Sequence, residues 1–179
     1  MTERAIGRLQ LRAEAPADHA AVDALLRDAF GGPAEAELLA ELRRDEATLS
    51  LVATLDRAEF GAAAVVGHVA ASRATARSGA TGVVGLAPLA VAAPWRRNGI
   101  GARLMEEALA QLRARGERLV VLVGSVDYYR RFGFVPAAPH RLACRWPEFA
   151  PHFQLLELVA GSAAQAAGAI DYHPAFDRF

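Results

Sequence analysis

The residues predict a mixed α/β fold: a central, mostly antiparallel sheet with a parallel strand–helix–strand unit at its core. Three features predict it. Apolar stretches at Leu49–Leu55, 62–72 and Val83–Val91 succeed one another with only turns between them, the pattern of antiparallel hairpins. An amphipathic segment over 100–115 then separates Val83–Val91 from Leu119–Val123, whose five apolar residues show no alternation. A strand of that kind is buried on both faces, and a helical crossover makes it parallel to the strand before it. At 179 residues the chain has the size of one domain with a substantial core, so 1–179 is expected to fold as one unit.

Each element has a local reason. Leu9-Gln10-Leu11-Arg12 alternates as a half-buried strand does. Pro16 suits the first turn of a helix, and Val22, Leu25, Leu26, Ala29 and Phe30 share one face until Gly31-Gly32-Pro33 ends it. A second helix is expected over 34–44, with Leu38, Leu39 and Leu42 inward and Glu35, Glu37 and Glu41 mostly outward. A turn over 56–60 and a loop through Arg77-Ser78-Gly79-Ala80 bracket the strand that contains Gly67. Gly85, Pro88 and Pro94 interrupt the next strand, which fits a bulge or a splayed edge better than a regular internal strand. The helix from Ile100 aligns Leu104, Ala108 and Leu112 with Met105 and Leu109 alongside, and Gly116 stops it. Ser125 or Asp127 caps a short helix, and strands at 153–159 and near 169–172 complete the chain.

The most informative stretch is Leu89-Ala90-Val91-Ala92-Ala93-Pro94-Trp95-Arg96-Arg97-Asn98-Gly99-Ile100-Gly101, where a strand turns through basic residues and glycines straight into a helix. The first amides of a helix lack intrahelical acceptors and sit at the positive end of its dipole, so phosphate oxygens satisfy both. Gly99 and Gly101 let a diphosphate approach the backbone, and Arg96 and Arg97 add positive charge at the rim. All 20 basic residues are arginine. A Walker A loop and a Schiff-base enzyme both need lysine and are excluded. A dinucleotide fingerprint would need glycine where Leu104 stands.

Arg96, two free positions, Gly99, one free position and Gly101, after the strand at 86–93, resemble the acyl-CoA signature of the GNAT superfamily of N-acetyltransferases. Downstream, Tyr128-Tyr129-Arg130-Arg131-Phe132-Gly133-Phe134 resembles its second landmark, a Tyr followed four positions on by Gly-Phe. Gly85-Leu86-Ala87-Pro88-Leu89-Ala90-Val91, Leu142-Ala143-Cys144-Arg145-Trp146-Pro147 and Tyr172-His173-Pro174-Ala175-Phe176 are similar to the bacterial YhbS-like branch of predicted N-acetyltransferases. The resemblance implies a GNAT fold with a CoA-binding core over about 82–137 and further strands over about 138–179. It implies acetyl-CoA as co-substrate, held by Leu89, Ala90 and Val91 on a splayed strand and by Arg96, Arg97, Asn98, Gly99, Ile100, Gly101 and Ala102 around the helix N-terminus. It further implies a backbone N–H, at Val91, for the developing oxyanion, and direct attack by an amine in a ternary complex. Tyr129 occupies the family's general-acid position, with Tyr128 the adjacent alternative.

The remaining composition narrows the field. Net charge is zero and the pI is near 7, so nothing draws the chain to nucleic acid or an acidic membrane surface. No apolar run approaches the ~20 residues of a membrane span, the N-terminus lacks a signal-peptide core, and a cytoplasmic location is the expectation. Cys144 is the sole cysteine and the five histidines are scattered, so no metal is expected; a lone Cys is more often a small buried hydrophobe than a nucleophile. The strand Val83–Val91 offers no Asp or Glu as general base. Neutralising a lysine-like amine at pH 7 costs about 4 to 5 kcal/mol, whereas an α-amine costs only about 1. Either the acceptor has a low pKa, or the proton leaves through water or a residue such as Glu35, Glu37 or His68. The missing base keeps a non-catalytic acyl-CoA sensor as the alternative. The acceptor amine is not legible, and the hydrophobic tail strand could pair across a homodimer.

Overall fold

A computed structural model of the chain describes residues 8–56 and 63–178. Its strands are β1 (Leu9–Ala13), β2 (Leu49–Leu55), β3 (Ala64–Ala76), β4 (Val83–Val91), β5 (Leu119–Val123), β6 (Val135–Pro136), β7 (Leu142–Cys144), β8 (Phe153–Glu157) and β9 (Gly168–Asp171). The helices are α1 (His19–Phe30), α2 (Ala34–Leu42), α3 (Ile100–Ala114), α4 (Val126–Tyr129) and α5 (Ser162–Gln165). The main path runs β1-β2-β3-β4-β5-β8-β6, and β9 pairs with the far end of β3 and with β7. Adjacent pairs from β1 to β4 are antiparallel, and β4 and β5 are parallel, as the hairpin and crossover readings required.

Alternation places the two layers. Val120 and Leu122 of β5 pack with Leu104, Met105 and Leu112 of α3, whereas Leu119 and Val121 face the opposite core with Leu38 and Leu42 of α2 and the tail. That is why β5 is apolar at every position. A third cluster joins Val22 and Leu26 of α1 and Leu39 of α2 to Val52, Ala70 and Ala90 of the sheet. Leu104, Met105 and Leu112 are fully buried, and each such side chain contributes about 1.5–3 kcal/mol. Close seating of α3 depends on Gly67, because a Cβ there would lie 2.9 Å from a Leu104 methyl and 3.2 Å from an Ile100 methyl.

Several expected boundaries shift. The strand expected over 62–72 extends to Ala76 because Thr75 and Ala76 pair with Asp171 and Ile170. The helix expected over 34–44 ends at Leu42, where Thr48 Oγ1 takes the Leu42 carbonyl. The tail strands are Phe153–Glu157 and Gly168–Asp171, and the small-residue segment between them includes α5. Two short strands, β6 and β7, carried too little pattern to be read. The turn expected over 56–60 lies, after Asp56, outside the described residues.

The irregularity expected in β4 is real. Val83, Val84 and Gly85 pair with Leu119, Val120 and Val121, and there the β4–β5 ladder stops. Opposite β3 the register shifts, with Leu86 beside Ala71 but Leu89 beside Val69, so β4 carries one extra residue around Ala87-Pro88. Such a bulge bends its strand. Beyond it β4 stays with β3, while Leu122 and Val123 of β5 follow Gln154 and Phe153 of β8. The two parallel strands thus part and leave a slot.

Candidate active site

Past the bulge, β4 presents a free backbone edge to the slot. Ala92 donates to the Val66 carbonyl of β3 at 2.9 Å, which makes alternate residues Ala92 and Ala90 the ones that bond β3. The backbone groups of Leu89 and Val91 therefore face the other way, where β5 no longer runs. Arg96 corroborates this orientation, since its Nε donates to the Val91 carbonyl at 2.9 Å. That contact braces the strand end, in addition to the rim charge expected of Arg96. The N–H of Val91 and both backbone groups of Leu89 stay available to a ligand lying along the strand.

The turn beyond opens directly on α3. Gly99 is the N-cap residue at φ 78°, a left-handed conformation that glycine adopts without penalty, and Arg97 also has positive φ, at 63°. Arg103 donates back to the Gly99 carbonyl at 3.0 Å, but no side chain caps the amides of Ile100, Gly101 and Ala102. Three unpaired donors at the positive end of a 15-residue helix are suited to an anion. The Asn98 side chain bonds the Arg96 carbonyl at 3.2 Å and so stiffens the turn.

The two tyrosines close the slot. Ser125 caps α4 by accepting from the Tyr128 amide at 3.3 Å, so of the two expected caps Ser125 fills the position. Tyr129 lies on Gly124, where a Cβ would approach its ring to 2.4 Å, and packs edge-on to Phe134 with centroids 5.8 Å apart. Tyr128 meets Tyr129 at 4.9 Å, and its hydroxyl occupies the space beside Gly101, 2.8 Å from where a Cβ would stand. Gly101 is therefore needed for this packing as well as for an approaching anion. Neither hydroxyl has a hydrogen-bond partner among the described residues. Burial pushes the Tyr129 phenol up to about 12, above the ordinary value of 10, and raises Tyr128 in the same direction against the lowering influence of Arg131. Arg131 stacks on the Tyr128 ring at 4.5 Å.

A cavity of about 730 Å³ continues from the slot, walled on one side by Leu86, Ala87, Pro88 and Leu89 and on the other by Val123, Gly124, Ser125 and the two tyrosines. Its outer wall comes from sequence-distant places: Phe30 at the end of α1, Glu35 and Leu38 in α2, and Trp146, Phe149, Tyr172 and Phe176 from the tail. Trp146, Tyr172 and Phe176 stack on one another at centroid distances of 5.0 to 6.2 Å. Tyr172 reaches the branch point itself, its ring lying where a Cβ on Gly85 would stand, 2.5 Å away. Sequence reading did not identify this wall. Glu35 was named as a candidate proton acceptor, and segments 142–147 and 172–176 as similar to the YhbS-like branch, but the aromatic content of these segments is equally the content of a core.

Of the three candidate proton acceptors, Glu35 alone lines the cavity. Glu37 is exposed on the next face of α2. His68 is fully buried between elements, its Nε2 2.8 Å from Ser50 Oγ and 3.9 Å from Glu14, and it does not reach the cavity. Burial lowers its pKa to about 4 despite Glu14, so it is neutral; with Ser50 donating to Glu14, the ring donates from Nε2 to Ser50 and leaves Nδ1 without a partner. Arg43 bonds both Glu14, at 2.6 Å, and Asp23 of α1, at 2.9 Å. This network fastens α1 and α2 to the sheet and so holds the outer wall. Among the described residues no His, Cys, Asp or Glu side chains converge as metal ligands do, and no helix is long and apolar enough to cross a membrane. Cys144 is half-buried, and burial raises its thiol pKa, which disfavours the nucleophilic thiolate.

Comparison with known proteins agrees with this geometry. The family model described as Acetyltransferase (GNAT) family matches residues 19–134. The chain is 40% identical over 170 residues to YhbS, an uncharacterized N-acetyltransferase of Escherichia coli strain K12, covering 94% of this chain and 99% of that protein. The crystal structure of Escherichia coli YhbS in complex with CoA superposes with a TM-score of 0.88 at 39% identity, over 100% of this chain and 97% of the other. A GNAT family acetyltransferase from Brucella melitensis, in complex with acetyl-CoA, gives 0.76 at 34% identity over 95% and 99% of the two chains. With a splayed β4, an uncapped helix turn and two such near-full-length relatives, the chain belongs to the acetyltransferase (GNAT) family.

Proposed function

We propose that the chain, as one catalytic domain over 1–179, transfers an acetyl group from acetyl-CoA to an amine by direct attack. The observation that carries this reading is the juxtaposition of three uncapped amides at Ile100, Gly101 and Ala102 with the free edge of β4. The amides, with Arg97 at the rim, suit a diphosphate; the edge at Leu89 and Val91 suits an extended arm that adds as another strand would. The CoA and acetyl-CoA complexes of the two relatives support the same assignment.

The chemistry follows from what lines the slot. A neutral amine attacks the thioester carbonyl, a C–N bond forms, and the negative charge that develops on oxygen is met by the Val91 N–H. The C–S bond then breaks, Tyr129 donates its proton to the departing thiolate, and the proton lost by the acylated nitrogen restores the phenol. With its pKa near 12, Tyr129 is a weak acid against a thiol of about 8.5, an uphill transfer of about 5 kcal/mol if both stood in these environments. The same burial also disfavours the thiolate, which narrows that gap.

Calorimetry of acetyl-CoA against the wild type and a Gly99→Glu/Gly101→Glu double variant tests the binding half. The variant adds carboxylates to the anion site and is expected to lose at least about 100-fold in affinity, roughly 2.7 kcal/mol. Equal affinity in both proteins would contradict the assignment. Thiol release in the presence of amines tests the chemical half, and tight binding without any release would favour a sensor.

A further inference from the structure

We infer that the acceptor is a small monoamine carried on an apolar body, aromatic or branched aliphatic, whose ammonium is recognised by Glu35. This deepens the acetyl-transfer reading and rests on it. The size of the cavity, about 730 Å³, falls within the range of small-molecule sites and must hold the acetyl end as well. Glu35 is the one formally charged side chain among the residues that line it. Arg145, which stacks on Trp146 at 5.3 Å, is itself paired with Asp177, so it does not repel an incoming cation strongly. Everything else on the outer wall is aliphatic or aromatic, and the rings add attraction for an ammonium.

The same wall argues against other amines. A polyamine or an amino sugar brings several cations or hydroxyls, and each would be left without a partner in an apolar cavity. A peptide needs a row of donors and acceptors for its backbone, whereas the outer wall offers a carboxylate and rings. Phe30 and Phe149, each 46% exposed, are two of the few large apolar side chains the described surface leaves uncovered, and both stand on this cavity. An apolar acceptor would cover them, whereas a hydrophilic one would not.

The charge balance of the reaction fits a single carboxylate. The acceptor arrives as an ammonium beside Glu35, sheds one proton to solvent, and attacks as the neutral amine; the C–S bond breaks, the thiolate takes the Tyr129 proton, and the second proton lost by the acylated nitrogen restores the phenol. The amide product carries no charge, so Glu35 loses its partner and the product's hold on the site weakens.

The test compares phenethylamine and isoamylamine with spermidine and a lysine-containing hexapeptide, following thiol release from acetyl-CoA, with acetyl-CoA affinity measured separately by calorimetry. The apolar monoamines are expected to exceed the others in kcat/KM by about 100-fold or more. Glu35→Gln is expected to raise KM for phenethylamine about tenfold with kcat within about threefold. Phe30→Ser/Phe149→Ser, at exposed positions whose replacement spares the core, is expected to lower kcat/KM for phenethylamine about tenfold or more with acetyl-CoA affinity unchanged. Preference for spermidine or the peptide, no turnover of the apolar amines by protein that binds acetyl-CoA, or an unmoved KM in Glu35→Gln would overturn the inference and leave acetyl-CoA binding intact. Absence of acetyl-CoA binding would overturn both.

Discussion

The two halves of the site are built from different material. The half around β4 and α3 is backbone: a strand edge released by a bulge, a left-handed Gly99 and three helix amides, all within Leu86 to Ala102. The half proposed for the acceptor is side chain: Phe30 and Glu35 from the first forty residues and Trp146, Phe149, Tyr172 and Phe176 from the last forty. A backbone site recognises what does not vary, a diphosphate and an extended arm, and it tolerates changes of side chain. A side-chain site can be rewritten residue by residue without disturbing the sheet, which suits the part of the molecule that selects an acceptor.

Tyr129 stands where the halves meet, and its removal is expected to have the largest effect. Tyr129→Phe should lower kcat by about 10²- to 10⁴-fold while acetyl-CoA affinity stays within about threefold, and Tyr128→Phe should cost less than about tenfold. A larger loss in Tyr128→Phe would exchange their roles. The sign of the pH dependence sharpens this test. Because the Tyr129 phenol is raised to about 12, it remains protonated well above pH 10, whereas the amine loses its proton as pH rises. The value of kcat/KM should therefore climb with pH with no falling limb below about pH 10, and a fall near pH 9 would identify another acid.

Gly67→Val probes whether the backbone half depends on how α3 is seated. With a Leu104 methyl 2.9 Å from the added Cβ, the variant should lose about 1–3 kcal/mol in denaturant unfolding and bind acetyl-CoA more weakly. Unchanged acetyl-CoA affinity in a destabilised protein would separate the anion site from helix seating.

Asp18 probes the other half, since it anchors the start of α1, whose far end carries Phe30. Its carboxylate accepts from the Ala15 amide at 2.8 Å and pairs with both terminal nitrogens of Arg12 at 2.6 and 2.8 Å. Arg12 is the main cause of a pKa lowered from 3.8 to about 2. Asp18→Asn should cost about 1–2 kcal/mol at pH 7 with acetyl-CoA affinity unaltered. A carboxylate whose folded pKa is depressed contributes fully above the unfolded value and loses that contribution as pH falls through the folded one. The gap in stability between wild type and variant should accordingly close between about pH 4 and pH 2.

How much was legible follows the same division. Gly99, Gly101 and the two tyrosines announced themselves because their spacing encodes a local geometry, a turn into a helix and a capped short helix. Glu35 was named as one of three proton acceptors, but nothing in the pattern could set it apart from Glu37 two residues on, or from His68. The structure separates them by direction and burial: Glu35 lines the cavity, Glu37 points to solvent, and His68 is neutral and fully buried against Ser50. Arg96 was read as a rim charge, and its brace on the Val91 carbonyl was not legible because that reach depends on the turn between them.

By itself the sequence determined the strand–helix–strand core, the bulged β4 and the glycine turn into α3, because these depend on periodicity, on glycine and proline geometry and on residues close together in the chain. Only the tertiary structure decided which side chains line the cavity. Phe30, Glu35, Trp146 and Tyr172 meet because β9 pairs with the end of β3 and brings the tail beside α1 and α2. That pairing rests on two backbone registers, Thr75 with Asp171 and Ala76 with Ile170, which four side chains of ordinary strand propensity do not specify until the sheet is formed.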